Sequence, residues 1–414
     1  MRIAIVDSNY SNAKYFGMAA SWLRWELSNA GVEESKPDAA DFLLCTVSSQ
    51  QGVSALRGAL RKIKNKRARV IVGGGGAWAP AVFDGIADVC CVGEGADFVR
   101  TLLKDGFEAA RSLPEAWIPG EKNAVIPNEK FPWDVPPINH PDGTVRIFGA
   151  RGCKHKCLFC QTGWEASYRP NPNPKRLAAV SKMLIERGRR VAVVTNDGAD
   201  MPTGLGGKQE FLSMRLAGLM RLMREKVVDR NFTKGVRLGV EGVSERLRRS
   251  VLKPIKNDDL INTSRTLLDR GVGVTWFFIT GLPMEAENDW LELRDLIDGV
   301  RTLKKGCVMM VFHAFIPQPA TPLGVLPVED KYWEFFEEFR RWFFHGPGFT
   351  RRAQFVAPAK YPGRLRRAME SMAATESEVR AGWMQKENAN WRVKYPVGAD
   401  KLRRIAARYC RGLS

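Results

Sequence analysis

The residues with the plainest chemistry in this sequence are Cys153, Cys157 and Cys160. They are spaced C-x3-C-x2-C inside Arg151–Gly163, which reads R-G-C-K-H-K-C-L-F-C-Q-T-G. Thiolates are soft ligands, and three of them on one short loop can each hold one iron of a cubane iron–sulfur cluster. A [4Fe–4S] cluster has a fourth iron, which is then left without a cysteine and can chelate the amino and carboxylate groups of a small molecule. The next cysteine downstream is Cys307. A zinc site is the competing reading. Zinc ordinarily takes four ligands, often as two C-x2-C pairs, and the local candidate for a fourth, His155, sits between two of the cysteines, where ligation would strain the loop.

With Phe159 just before the third cysteine, the motif resembles the signature of the radical S-adenosylmethionine (SAM) superfamily. That resemblance implies a cluster whose open iron binds SAM. It implies an electron donor such as a flavodoxin or ferredoxin, and cleavage of SAM to methionine and a 5′-deoxyadenosyl radical that takes hydrogen from a substrate. Three later segments resemble the same family in the same order. Val236–Val240 runs into Glu241-Gly242-Val243-Ser244, similar to a strand ending in Glu-Ser-Gly-Ser, with Gly242 in place of the serine. Gly281-Leu282-Pro283-Met284-Glu285 is a second marker, and I-P-Q-P-A-T-P-L-G, with Ala320 replacing a glycine, is a third. The resemblance implies SAM contacts at Phe159, Asn196, Glu241 and Gly281. A carboxylate such as Glu241 suits a pair of ribose hydroxyls, although one beside a helix N-terminus is also an ordinary capping residue. Asn196-Asp197-Gly198 also reads as a plain turn.

The elements that must position these residues are alternating strands and helices. Residues 1–110 give strands at Arg2–Val6, Asp41–Val47, Arg69–Val72 and Asp88–Val92, with helices at Ala13–Ala30, Val53–Ile63 and Ala96–Leu103. This alternation predicts a doubly wound parallel sheet with a ligand crevice at the carboxyl ends of its strands. The glycine-rich turn V-I-V-G-G-G-G-A-W and the later V-G-E-G at Val92–Gly95 resemble the cobalamin-binding-type domain that precedes many radical SAM cores. The first histidine is His140, so a histidine-ligated cobalamin is excluded there. Cobalamin bound without such a ligand, an empty crevice, and a phosphate cradle all stay open, though the last lacks the Lys-Ser/Thr of a P-loop.

Residues 111–143 are a proline-rich linker. Residues 144–324 are expected to form a partial (β/α)6 barrel. The strand Thr144–Ala150 delivers the cysteine loop at its carboxyl end, where such folds carry chemistry. Further strands fall at Arg190–Thr195, Val236–Val240, Gly273–Thr280 and Cys307–Phe315, and Gln209–Val227 reads as an amphipathic helix through Leu212, Leu216, Leu219 and Leu222. One barrel strand is not visible between residues 197 and 235.

Residues 325–414 read as a helical, basic region. Tyr332–Phe344 is an aromatic helix; beyond it lie Arg351-Arg352, Arg364, Arg366, Arg367, Arg403 and Arg404, interleaved with Trp383, Trp391 and Tyr409. The net charge is +19. Residues 1–150 hold 17 basic and 17 acidic side chains, so the whole excess lies beyond residue 150. An anionic partner follows, with nucleic acid (DNA or RNA) the first candidate, since arginine binds phosphate and aromatic rings stack on bases. A cobalamin-assisted methylation of a peptide or small metabolite is the alternative activity; a structural metal-binding module is the non-enzymatic one. No apolar run is long enough to span a membrane, the N-terminus lacks a signal peptide, and the few cysteines suit a reducing cytoplasm.

Overall fold

In the computed structural model, the described residues are 1–7, 17–48, 52–139, 143–200, 209–229, 231, 233–318, 320–327, 331–348, 350–356 and 393–413. The first unit alternates as expected. It runs β1 (Ile3–Asp7), α1 (Met18–Asn29), β2 (Phe42–Thr46), α2 (Val53–Lys62), β3 (Arg69–Gly73), β4 (Val89–Cys91), α3 (Ala96–Asp105), α4 (Phe107–Arg111) and β5 (Ala116–Trp117). Strands β1 to β4 are parallel in the order β1-β2-β3-β4. They read as continuous apolar runs because both faces of the sheet are covered by helices. Strand β5 comes from the proline-rich linker and closes the edge antiparallel to β4. The linker is therefore part of the sheet as well as a connection.

The second unit continues with β6 (Ile138–Asn139), β7 (Thr144–Phe148), β8 (Ala150–Arg151), α5 (Thr162–Glu165), β9 (Arg169–Pro170), α6 (Pro174–Glu186) and β10 (Arg190–Val194). Then follow β11 (Gln209–Met214), α7 (Leu216–Arg224), β12 (Thr233–Glu241), α8 (Glu245–Ser250), α9 (Asn257–Asp269), β13 (Gly273–Thr280), α10 (Glu287–Arg301), β14 (Val308–Ala314), α11 (Lys331–His345), β15 (Ala353–Val356) and α12 (Ala399–Arg411). Strands β10 and β7 pair in parallel with β6 beside them, and β11 to β15 form a parallel sheet in chain order. Among the described residues no strand pairing closes these two sheets into one barrel.

The expected helix over Gln209–Val227 is corrected. Its first part is the strand absent from the sequence reading, and only Leu216–Arg224 is helical. Leu212 and Met214 are both buried, a spacing of two, and the helical spacing begins at Leu216. Strand β15 also joins the second of these sheets, pairing with β14 from beyond residue 324. It is packed into an aromatic cluster with Phe312, Phe336, Phe339 and Phe343, which gather around Phe355 at 4.7–6.1 Å.

The last described segment crosses back over both units. Val393 bridges Val125, and the Tyr395 hydroxyl donates to the Trp78 carbonyl at 2.5 Å. Farther along, on α12, the Tyr409 hydroxyl donates to the Pro283 carbonyl at 2.5 Å, and Arg246 donates to the Leu413 carbonyl at 3.0 Å. Tyr409 is thus buried in the core and not an exposed stacking platform. Arg364, Arg366, Arg367, Trp383 and Trp391 lie outside the described residues. No described helix is long and apolar enough to cross a membrane.

Candidate functional site

The loop after β8 is held from several sides. Leu158 N–H donates to Val251 O and Leu323 N–H to Leu158 O, at 3.3 and 3.1 Å. The Trp164 indole donates to Cys157 O at 2.9 Å. His155 bonds Asp197 at 3.0 Å, and Lys154 pairs with Asp200, so the loop is tied to the turn after β10. His155 is thereby occupied by a carboxylate. Gly163 is required by contact: a Cβ there would stand 2.2 Å from His155 O.

The three cysteines are close enough to couple electrostatically. Cys157 is buried and the other two are half-buried, and the sulfur of Cys157 electrostatically raises the pKa of both. Burial pushes the Cys160 thiol up to about 11 and raises Cys153. Such a pocket leaves the thiolate to be stabilised by a metal's charge in place of water. Among the described residues no three His, Cys, Asp or Glu side chains stand close enough to share a single ion. In a cubane each thiolate takes a different iron, and three cysteines without a fourth are the donor set such a cluster can take. Arg215 adds a cation: its Nη1 donates to Cys157 Sγ at 2.9 Å and its Nη2 to Leu252 O at 3.0 Å. It lies between β11 and α7, inside the stretch expected to be one helix, so its approach to the cysteines was hidden.

The four residues expected at SAM fall at strand ends or on the loop. Phe159 packs against the core. Asn196, after β10, donates to Gly152 O at 2.6 Å, which fixes it against the entry to the cysteine loop. Glu241 ends β12 at φ +72°, past a bulge, and accepts from Lys253 Nζ at 2.6 Å. Gly281 follows β13 at φ +80°; its N–H and that of Leu282 donate to Glu285, which also accepts from the Trp290 indole. Glu285 therefore clips the turn internally, and desolvation raises its carboxyl to about 8. Asn196 borders the large cavity described next, whereas Glu241 and Gly281 do not.

That cavity, about 480 Å³, lies between the strand ends of the first unit and the cysteine loop. On one side are Trp22, Thr46, Gly73–Gly75, Trp78 and Gly93–Ala96; on the other are Phe148, Arg151, Gly152, Glu165, Arg169 and Asn196. Its size is that of a cleft for an organic ligand. In the glycine turn, Gly74 and Gly75 lie against backbone carbonyls of Val47 and Ser48, where a Cβ would come within 2.7 and 2.4 Å. A Cβ on Gly73 would meet no atom of the described residues within 4 Å and would stand in open space. The Trp22 indole N–H is buried with no partner among the described residues. A bare glycine surface with an orphaned donor fits a flat, amide-bearing ligand and needs no histidine. Glu94, from V-G-E-G, spans the units: it accepts from Arg151 Nε and Nη2 at 2.9 Å each and from Arg169 Nη2 at 3.0 Å. Glu94 lies in a motif the sequence displays, whereas its bridge to the two arginines and Glu165 carry no sequence signature.

Residues 147–297 match the model of the radical SAM superfamily. A curated relative, the tRNA-2-methylthio-N(6)-dimethylallyladenosine synthase of Nitrosomonas eutropha (strain DSM 101675 / C91 / Nm57), is 24% identical over 370 residues. The match covers 78% of this chain and 77% of that protein. Among solved structures, the radical SAM methyltransferase TsrM from Kitasatospora setae, with tryptophan substrate and a SAM analogue bound, superposes with TM-score 0.56. It is 13% identical and covers 99% of this chain and 96% of that one. The same protein with cobalamin and a [4Fe–4S] cluster bound gives TM-score 0.55 at 14% identity, over 96% and 91% of the two chains. At these identities the likeness to TsrM is one of fold.

Proposed function

The chain is a radical SAM enzyme, and from that premise we propose that it is a cobalamin-dependent methyltransferase working across the cavity between its two units. Cys153, Cys157 and Cys160 hold the [4Fe–4S] cluster, and Phe159, Asn196, Glu241 and Gly281 line the SAM site, with a protein such as a flavodoxin or ferredoxin as electron donor. The observation that carries this reading is the shared cavity: the glycine turn and the two ends of the cysteine loop, at Gly152 and Thr162, border one space. When bound, the cluster would supply an electron to split SAM and the corrin would serve as a methyl carrier. Gly73–Gly75 and the Trp22 N–H, which line that space, would hold the corrin. The Arg151–Glu94–Arg169 bridge fixes the spacing of the units. Phe131 and Phe148, stacked edge-on under the Arg151 guanidinium, help wall the space from water. The TsrM likeness supports this reading through its fold.

The test is anaerobic reconstitution with iron, sulfide and cobalamin. We expect one corrin and a four-iron cluster per chain, the cluster absent when all three cysteines become alanine. A chain that takes up the cluster and no corrin would overturn the cobalamin assignment.

A second reading concerns the substrate. On α12, Lys401, Arg404, Arg408 and Arg411 are exposed at i, i+3, i+7 and i+10, while Leu402, Ala406 and Tyr409 are buried opposite. This cationic stripe, the charge excess beyond residue 150, and a relative that bears a tRNA enzyme's name support a nucleic-acid base as the group modified. Salt-dependent binding of tRNA tests it; the absence of salt-dependent binding would leave a peptide or small metabolite.

A further inference from the structure

Glu165, at the end of α5, borders the cavity. No hydrogen bond from a described residue reaches its carboxyl. The charged and titratable groups facing it come from three other elements. Arg151 on β8 attracts the ionised form, and Glu94 in the loop before α3 repels it. Tyr395 on the returning segment is also close enough to couple to it electrostatically. Arg151 and the Nη2 of Arg169 are already bonded to Glu94, the other two Arg169 nitrogens being buried without a partner among the described residues, and the Tyr395 hydroxyl to Trp78 O. The cavity therefore presents one half-buried carboxyl without a hydrogen-bond partner among the described residues.

Burial pushes that carboxyl up to about 8 in spite of Arg151, so at neutral pH it holds its proton. A neutral carboxylic acid has a donor O–H and an acceptor C=O side by side. The chemical group that matches both at once is a primary carboxamide.

We propose that Glu165 recognises a primary carboxamide on the rim of the cavity's occupant, its O–H donating to the amide oxygen and its C=O accepting the amide N–H. This rests on the cobalamin reading above, since the corrin rim is bordered by such amides, and it makes Glu165 a positioning residue that sets the corrin's orientation.

The experiment is binding of methylcobalamin to the full, cluster-loaded chain, followed by visible absorbance at pH 7 and pH 9.5, for the native chain, Glu165→Gln and Glu165→Ala. The native chain loses affinity by about tenfold at the higher pH, because ionisation removes the donor. Glu165→Gln keeps a donor and an acceptor, so its affinity stays within about twofold of the native value at pH 7 and does not change with pH. Glu165→Ala binds more weakly at both pH values with no pH dependence; its iron content and near-ultraviolet circular dichroism report that the fold is intact. Equal pH slopes in the native chain and Glu165→Gln overturn the role of Glu165 while leaving corrin binding in place. Failure of the native chain to bind methylcobalamin at either pH overturns the corrin reading itself, and this inference with it.

Discussion

The guanidinium of Arg215 donates to the sulfur of Cys157 at 2.9 Å while its other nitrogen holds the Leu252 carbonyl. A donor and a positive charge at a cluster thiolate stabilise the reduced, more negative state and raise the reduction potential. A hydrogen bond to a charged group contributes about 1.5–3 kcal/mol, and for one electron about 1.4 kcal/mol corresponds to roughly 60 mV. Arg215→Gln should therefore lower the cluster midpoint by several tens of millivolts, and Arg215→Lys by less. Spectroelectrochemistry of the reconstituted cluster measures it; an unchanged midpoint in Arg215→Gln would remove the electrostatic role.

Gly163 lets the cysteine loop fold back on itself. Alanine there brings a Cβ to 2.2 Å from the backbone oxygen of His155, which no side-chain rotation relieves. Gly163→Ala should keep the far-ultraviolet circular dichroism of the native chain while reconstituting with much less iron. Native iron content in this variant would show that the loop has room to shift.

The buried carboxyl of Glu285 gives stability a pH dependence. Its folded value is raised to about 8 from 4.5. Below pH 4.5 both states hold the proton. Between 4.5 and 8 the unfolded chain releases it and the folded chain does not, so stability falls as pH rises through that window. Glu165 adds a change of the same sign. Thermal unfolding at pH 5 and pH 8 should show the drop, and Glu285→Gln should flatten it, at the cost of about 1–3 kcal/mol for an acceptor lost from the turn. A native chain whose unfolding temperature rises over that interval contradicts the assignment.

Two tyrosine hydroxyls fasten the returning segment, Tyr395 to Trp78 O and Tyr409 to Pro283 O. Tyr395→Phe and Tyr409→Phe should each destabilise by about 0.5–1.5 kcal/mol and, being at separate sites, add in the double variant. Denaturant melts of the three variants check this, with strong non-additivity as the contrary result.

If the α12 stripe meets phosphates, replacing Lys401, Arg404, Arg408 and Arg411 by glutamine removes up to four ionic contacts. The slope of log K against log salt for tRNA should become shallower by about 3. An unchanged slope would move the nucleic-acid surface elsewhere.

Much of this was readable in the residues because the signals were local. The cysteine spacing, the glycine turn and the strand ends at Glu241 and Gly281 each depend on a few neighbours in the chain, and each lies where the alternation of strand and helix puts it. The strand Gln209–Met214 was not readable. Its buried leucine falls four residues before Leu216, so a strand followed by a helix imitates one long helical stripe. Strand β15 and the linker strand β5 owe their conformation to pairing with distant partners, β14 and β4. The Glu94 bridge and the lone carboxyl of Glu165 depend on two units meeting, which no local pattern encodes.

The contacts of residues 393–413 carry a consequence for the two units. Tyr395 holds the carbonyl of Trp78, which borders the cavity in the first unit, and Tyr409 holds that of Pro283 in the second. One short stretch of chain thus clasps both, and a proteolytic nick that freed it would release them together.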